Sequence, residues 1–339
     1  MITTLPATTT DEIVSALLTT EGVAGGSRVL TLVIDTDAEG LEEALAAAHG
    51  AGRDHPSRVV AVVRPMSLLD AGQGGADAQA GPSGHLDAEI RVGHHAGAGE
   101  TIVLFPWGQA AEHTDTLVVP FLLPDVPVVT WWPTTPPSDP AASPLGRLAT
   151  TRITNTPSQP NPFAALAALA PPYTRGDIDL AWTRITLWRA LVASTLDPVL
   201  RDGGITGVVV TGEPCNSSVC LMVTWLGLRL GVPVERVDEP GTLGIDTITA
   251  RTPDGDLVIA RKDPERVTIT RPGAQEPQVV TMERREPVTT MNEELRRLTP
   301  DLVYEEVLAA FARDHAGGCR DVGADPQAGA GQDTTVKED

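Results

Sequence analysis

The chain has 339 residues, of which 41% are hydrophobic, and this is enough for one large or two ordinary domains with real cores. Its formal charge of −20 argues against binding to nucleic acid, because neutralising a phosphate backbone requires clustered cations. No apolar run approaches the roughly 18 residues of a membrane span, and the N-terminus has acidic residues and no basic leader region. We therefore expect two domains, a cytoplasmic location, no membrane contact, and protein or small-molecule partners.

The first half of the chain has the pattern of a parallel α/β unit. The segments 27–35 and 57–64 are apolar on both faces, and the alanine-rich segment 38–50 between them is typical of a helix. Together they predict a βαβ unit of the Rossmann type. The glycine-rich segment 68–85 lacks the G-x-G-x-x-G order of a dinucleotide site, so we expect no cofactor.

Proline-rich composition marks a domain boundary within residues 133–162. Such composition cannot bury enough apolar surface to fold alone. We therefore predict an N-terminal α/β domain over residues 1–150 and a C-terminal α/β domain over residues 163–314. The acidic tail 315–339 has no apolar periodicity and is predicted to be disordered.

The second half repeats the α/β pattern. The segment 177–197 predicts one long helix, and a strand at 205–212, a helix at 216–230 and a strand at 232–238 form a second βαβ unit. The following segment, up to residue 285, alternates apolar and polar residues, which predicts an antiparallel meander before two closing helices. The predicted fold class is therefore α/β, with two Rossmann-like halves, the second carrying a β-meander and closing helices.

The chain offers few residues for catalysis. Its seven histidines form no metal-binding pattern on one element, and it has neither a G-x-S-x-G nucleophile motif nor a paired-carboxylate motif. We therefore predict no metal site and no enzymatic reaction.

A candidate anion site follows the strand at 205–212. Backbone N–H groups, a side-chain amide and two hydroxyls at the start of a helix can hold an anion, and the residues concerned are Glu213, Asn216, Ser217 and Ser218. The alternative is that Asn216 or a serine simply caps the helix. Glu213 weighs against a phosphate, because its carboxylate competes for the same N–H groups.

Cys215 is a candidate redox residue at the same helix start, where the helix dipole lowers the pKa of a thiol. A reactive thiol also needs a neighbouring base. No histidine occurs between His113 and His315, so a base must come from elsewhere in the fold. The alternative is an unreactive cysteine.

The helix predicted at 177–197 combines arginine and tryptophan on apolar faces. On this helix Arg184 projects between Leu191 and Trp188, and Arg189 lies beside Trp182 and Leu196. Each guanidinium must therefore find a carboxylate or an anion, or reach solvent. Either the arginines form internal ion pairs, or they and Trp188 contact a partner, since these residue types dominate binding hot spots.

Trp131 and Trp132 end a predicted strand. Adjacent strand residues point to opposite faces, so one indole is expected in the core, and the other faces outward as an interface anchor or packs across the domain junction.

Several long stretches, among them "VVPFLLPDVPVVTWWP", "RITNT" and "DIDLAWTRITLWRALVASTLD", resemble the glucose-6-phosphate dehydrogenase assembly protein family, OpcA, and the resemblance extends over residues 1–312. It implies a non-catalytic accessory protein that binds glucose-6-phosphate dehydrogenase at the entry to the pentose phosphate pathway. Such a protein promotes the active oligomer of the enzyme or activates it allosterically. The alternative is an uncharacterised α/β enzyme, or a sensor that binds a sugar phosphate or nucleotide at the 212–218 helix start.

Overall fold

The computed structural model describes residues 1–20, 28–65, 84–92, 99–202 and 204–315. Within these residues the chain forms two sheets covered by helices. The glycine-rich segment and the acidic tail singled out in the sequence lie outside the described residues, except at their edges. In the described part of the chain, no helix is both long enough and apolar enough to cross a bilayer.

The first sheet contains β1 (Ile2–Leu5), β2 (Leu30–Thr36), β3 (Ser57–Val63), β4 (His85–Val92), β5 (Glu100–Trp107), β6 (Val128–Trp131), β7 (Thr151–Thr154) and β8 (Asp177–Asp179). Their spatial order is β1-β4-β5-β3-β2-β6-β7-β8. Neighbouring strands in the series β5-β3-β2-β6-β7-β8 pair in parallel. β4 pairs antiparallel with both β1 and β5. The parallel βαβ unit predicted near the N-terminus is confirmed.

Helices cover both faces of this sheet. Alternate residues of β2 point to opposite sides, so Leu32 joins a cluster with Leu45 of α2 (Leu41–Ala51), whereas Val33 joins a cluster with Ile13 of α1 (Thr10–Thr20). This two-sided burial explains why the strand has an unbroken apolar sequence.

The predicted boundary at residue 150 is wrong for this sheet. β7 and β8 lie after that residue, yet both extend the first sheet in parallel. The proline-rich segment is a connection folded over the sheet, where the Thr130 hydroxyl donates to the carbonyl of Leu145, which is itself buried. Composition alone could not show this, because only single residues of the segment, such as Leu145, are buried against the sheet and the segment has no apolar periodicity of its own.

The second sheet contains β9 (Gly207–Gly212), β10 (Val234–Asp238), β11 (Ile245–Thr252), β12 (Gly255–Arg261), β13 (Arg266–Thr270) and β14 (Gln278–Thr281) in the spatial order β10-β9-β11-β12-β13-β14. β9 and β10 pair in parallel, whereas the strands from β9 through β11 to β14 pair antiparallel. The second βαβ unit and the meander are therefore confirmed.

The remaining helices are α3 (Thr114–Val118), α4 (Pro162–Leu169), α5 (Leu180–Arg184), α6 (Thr186–Asp202), α7 (Ser217–Leu230), α8 (Pro287–Arg296) and α9 (Leu302–Asp314). Helix α7 packs against α4, α5 and α9, and α8 packs against α2 of the first half. The Asn292 side-chain amide on α8 donates to Asp54, just after α2, at 2.7 Å. The two halves therefore share a packed interface.

The long helix predicted over 177–197 is interrupted. Residues 177–179 form β8 instead of helix. The buried Asp179 side chain then caps α5 by accepting from the Ala181 N–H at 2.8 Å. The backbone leaves helical geometry at Ile185, before α6 begins. Helix α6 then continues through Pro198, where the helix was predicted to end. Proline already has a helical φ, and α6 loses only one hydrogen bond there.

Candidate functional site

A cleft of about 410 Å³ opens beside the second sheet, and we call it the arginine cleft. Its walls come from the α5–α6 junction, the loop after β9, the start of β11 and the segment before α8. The residues that matter most for its chemistry are Arg184, Trp188, Glu213, Arg261, Arg284 and Arg285.

The loop after β9 is held tightly against the start of β11. Glu213 donates its N–H to the carbonyl of Gly244 at 2.9 Å and accepts the Gly244 N–H on its carboxylate at 2.8 Å. A Cβ on Gly212 would lie 2.6 Å from the Gly244 carbonyl oxygen, so this approach requires glycine. The loop therefore presents a fixed wall to the cleft.

Asn216 is the N-cap of α7. Its side-chain oxygen accepts from the Val219 N–H at 3.1 Å, and its amide donates to the Glu213 carboxylate at 2.8 Å. The capping alternative is confirmed for this residue, and the same contact places a negative charge at the helix start. An anion at the helix start itself would have to displace Glu213.

The two serines predicted to bind an anion are used inside the protein. Ser217 is fully buried and its hydroxyl donates to the hydroxyl oxygen of Thr156 at 2.9 Å, because the Thr156 proton goes to Asp179, whereas the Ser218 hydroxyl donates to the carbonyl of Ala181 at 2.9 Å. Ser218 still borders the arginine cleft, but both hydroxyls tie α7 to neighbouring segments. The structure therefore contradicts the expectation that these two hydroxyls bind an anion, because both are engaged in hydrogen bonds within the protein.

Cys215 is half-buried and has a left-handed backbone conformation with φ of 53°. Its carbonyl accepts from the Phe163 N–H at 2.9 Å, and its side chain packs against the core. Cys220 is buried in α7, where Arg236 lies 3.2 Å from its sulfur. Within the described ranges no cluster of three His, Cys, Asp or Glu residues could hold a metal.

Arg184 projects into the arginine cleft. Its Nε is buried and has no hydrogen-bond partner within the described residues, and none of their carboxylates forms an ion pair with it. Burial lowers the pKa of Arg184, and the nearby charges of Asp179 and Glu286 partly oppose that effect. This guanidinium is therefore partly desolvated without a direct counter-charge.

Two further arginines, Arg261 and Arg284, line the arginine cleft, and neither was predicted from the sequence. The Arg261 guanidinium lies 5.2 Å from the centre of the Trp188 ring and donates to the carbonyl of Met282. Arg284 donates to the carbonyl of Leu243 at 2.6 Å. Burial lowers the pKa of Arg261, and the charge of Arg284 lowers it further. Arg261 ends β12 and Arg284 lies in the segment before α8, and no short sequence pattern links either of them to α5.

Arg285 and Arg189 are both held by contacts inside the protein, but only Arg285 forms an ion pair within the described residues. Arg285 forms an ion pair with Glu293 and donates to the Thr183 carbonyl at 2.8 Å. The Arg189 guanidinium stacks 3.6 Å from the centre of the Trp182 ring, and burial lowers its pKa to about 10, against the charges of acidic residues on α8 and at the start of α9. Arg189 is therefore held by its stack on Trp182 and a hydrogen bond to Thr186 rather than by the internal ion pair that was one alternative, whereas Arg184 lines the cleft.

The tryptophans expected at a partner contact are buried. Trp131, Trp132 and Trp188 expose 3%, 0% and 6% of their surface, and the Trp132 indole donates to Asp35 at 2.8 Å. Residues on both faces of the first sheet are buried, and neither Trp131, at the end of β6, nor Trp132, just after it, faces outward. The expectation that one of Trp131 and Trp132 lies in the core is confirmed, whereas the outward-facing alternative for the other one, and a surface contact through Trp188, are wrong.

Comparison with known proteins adds a family relationship. Residues 48–171 match the model of the glucose-6-phosphate dehydrogenase subunit N-terminal domain, and residues 175–308 match the model of the corresponding C-terminal domain. A protein of Synechococcus elongatus named as an OxPP cycle protein OpcA is 30% identical over 155 residues, which is 43% of this chain and 35% of that protein. The match thus spans about a third of the length of that relative.

Among solved structures, an oxidoreductase from Sinorhizobium meliloti has a TM-score of 0.45 at 10% identity, over 85% of this chain and 96% of that one. Biliverdin reductase from Synechocystis, solved with biliverdin and NADP⁺, has a TM-score of 0.41 at 10% identity, over 85% of this chain and 98% of that one.

Proposed function

Because the chain belongs to the OpcA family of glucose-6-phosphate dehydrogenase subunits, we propose that it is a non-catalytic accessory protein of that dehydrogenase. In this role it binds the enzyme and promotes its active oligomer or activates it allosterically, in support of the oxidative pentose phosphate cycle. The observation that carries the proposal is that both domain models of the family match in order, one to each half of the chain. The proposal includes a cytoplasmic location and a sugar-phosphate or nucleotide effector.

The chemistry of the arginine cleft supports a binding role. Its charged side chains are arginines and glutamates, and its hydroxyl and amide groups from Ser218 and Asn216 are engaged in hydrogen bonds within the protein. Such a set holds a ligand by charge and hydrogen bonding. Binding of this kind requires no reaction by the chain itself.

Activation by such a protein has a thermodynamic limit. An accessory protein shifts the dehydrogenase toward an active state only by the difference between its affinities for the two states. A tenfold shift of that equilibrium requires a difference of about 1.4 kcal/mol, which one well-placed contact can supply.

The experiment is an assay of the purified dehydrogenase from the same organism with and without the purified chain. We expect the rate to increase with added chain and to saturate, and we expect the chain alone to turn over neither glucose 6-phosphate nor a nicotinamide cofactor. Steady turnover by the chain without the dehydrogenase would refute the non-catalytic role. An unchanged dehydrogenase rate at saturating chain would refute the accessory role.

A further inference from the structure

Three arginines of the arginine cleft, Arg184, Arg261 and Arg284, form no ion pair with the residues that the structure describes. We propose that the cleft binds a small sugar phosphate, with the phosphate held by Arg184, Arg261 and Arg284. The inference deepens the effector part of the proposed function and rests on it only for its biological role, because binding to the isolated chain can be measured without the dehydrogenase.

Arg184 is the first reason. A buried guanidinium N–H that makes no hydrogen bond costs free energy, and native structures rarely leave such groups unsatisfied. Within the described residues, Arg184 Nε has no acceptor and the side chain lines the cleft. The outer guanidinium nitrogens of Arg184 also make no hydrogen bond to the described residues, and an anionic ligand in the cleft would supply acceptors for them.

The second reason is that the other two arginines are fixed in place with donors to spare. Arg261 is oriented by the Trp188 ring and by the carbonyl of Met282, and Arg284 is oriented by the carbonyl of Leu243. A guanidinium has five N–H donors, so each retains several for a ligand. Planar arginine forks match phosphate oxygens well, because two parallel hydrogen bonds can form at once.

The carboxylates of the cleft indicate what the rest of the ligand is. Glu213, Glu283 and Glu286 line the same space, and in a site for inorganic phosphate alone they would oppose binding. Carboxylates accept hydrogen bonds from hydroxyl groups, so they suit a polyhydroxylated ligand whose phosphate end lies at the arginines.

Size and apolar surface agree with this assignment. Ile185, Leu187 and Trp188 form an apolar wall beside the charged groups. The volume of about 410 Å³ lies within the roughly 300–1,000 Å³ of small-molecule sites. A pentose or hexose phosphate, with a phosphate, several hydroxyls and C–H faces, matches all three features of the cleft.

The test is isothermal titration calorimetry on the full chain with glucose 6-phosphate, ribose 5-phosphate, inorganic phosphate and glucose as separate probes. We expect at least one sugar phosphate to bind, inorganic phosphate to bind more weakly, and glucose to show no binding. Equal binding of inorganic phosphate and both sugar phosphates, or no binding of either sugar phosphate, would overturn the proposal.

Substitutions of the cleft arginines then test whether the sugar phosphate binds in the arginine cleft. Arg184→Gln and Arg284→Gln should each weaken sugar-phosphate binding about tenfold or more, because each removes a charge-assisted contact. The matched control is Arg271→Gln, which removes an exposed arginine from the turn between β13 and β14 and should leave the affinity unchanged. Thermal melting of each variant checks that it is folded, and Arg284→Gln covers the case in which Arg184→Gln unfolds. Equal affinity in the folded cleft variants and the control would place the ligand elsewhere.

The outcomes for the two proposals are separate. Sugar-phosphate binding without activation of the dehydrogenase would leave the cleft assignment standing and remove the accessory role. Activation of the dehydrogenase by a chain that binds no sugar phosphate would support the accessory role and overturn the cleft assignment.

Discussion

At the residue scale, Asp179 is a buried carboxylate that accepts four hydrogen bonds. The donors are the hydroxyl of Thr154 at 2.6 Å, the N–H and hydroxyl of Thr156 at 3.0 and 2.7 Å, and the N–H of Ala181 at 2.8 Å. The side chain thus ties β7 and β8 to α5 and fixes the backbone from which Arg184 projects.

Replacing this carboxylate should destabilise the protein strongly. In Asp179→Asn, an NH₂ group takes the place of one oxygen and faces donors, so we expect the free energy of unfolding to fall by about 3 kcal/mol. The control is Asn161→Ala, which removes the N-cap of α4 and should cost about 1 kcal/mol. Urea denaturation of both variants measures the difference. Equal losses of unfolding free energy in the two variants would show that the four hydrogen bonds to Asp179 stabilise the protein no more than one helix cap does.

Glu294 should make stability depend on pH. The pKa of Glu294 is raised to about 7, mainly by burial and also by the charges of Glu293 and Asp301, while the hydrogen bond from Thr183 opposes the change. The folded protein therefore holds a proton that the unfolded chain, with a glutamate pKa of about 4.3, has already released. It follows that stability falls as pH rises from about 4.3 to about 7, and the loss is complete above that range.

Glu294→Gln should flatten this dependence, because glutamine does not ionise. We expect the variant to melt at a higher temperature than the parent at pH 8, and to approach the parent at pH 5. The exposed Glu306 provides the control, since Glu306→Gln should keep the parental slope. Melting curves from pH 5 to pH 8 test this, and an unchanged slope in Glu294→Gln would contradict the assignment.

At the scale of elements, α5 and α6 separate two arginines that look alike in the sequence. Arg189 stacks on Trp182 beside the acidic residues of α8, whereas Arg184, on the other side of the break at Ile185, lines the arginine cleft. Helical periodicity showed that both arginines lie on apolar faces. The break in the helix at Ile185 and the turn before α8 determine which groups each arginine contacts.

The stacked arginine should matter for stability. Arg189→Ala removes a cation–π contact and a buried aliphatic stem, so we expect a loss of about 1–2 kcal/mol in the free energy of unfolding. Arg189→Lys should recover only part of this loss, because a lysine keeps the charge and not the planar stack. Thermal unfolding compares the variants. A melting temperature for Arg189→Ala equal to that of the parent would show that the stack contributes nothing.

The sequence predicted elements better than it predicted their associations. Apolar strands such as β2 and the capped helix at Asn216 follow from local composition, and the structure has both. The site could not be predicted in the same way, because Arg261 and Arg284 reach it from segments far along the chain from Arg184. Trp131 was misjudged because alternation on one strand does not reveal that both faces of its sheet are covered.

At the scale of the whole molecule, one hydrophobic cluster runs from the first sheet to the second. It includes Leu32 of β2, Val210 of β9 and Ile248 of β11, with helix residues between them. Helices α2 and α8 close the contact between the halves.

A shared core predicts that the two halves unfold together. We expect calorimetry of the full chain to show one transition whose calorimetric and van't Hoff enthalpies agree. Two separated transitions would show instead that each half has an independent core, as the proline-rich segment first indicated.

The accessory role is tested most directly by titrating the purified dehydrogenase with the chain while its rate and molecular mass are recorded together. We predict that the rate rises and saturates at a fixed molar ratio, and that a complex containing both proteins appears over the same range of concentrations. A dehydrogenase whose rate and mass stay constant at every concentration of the chain would contradict the proposed function.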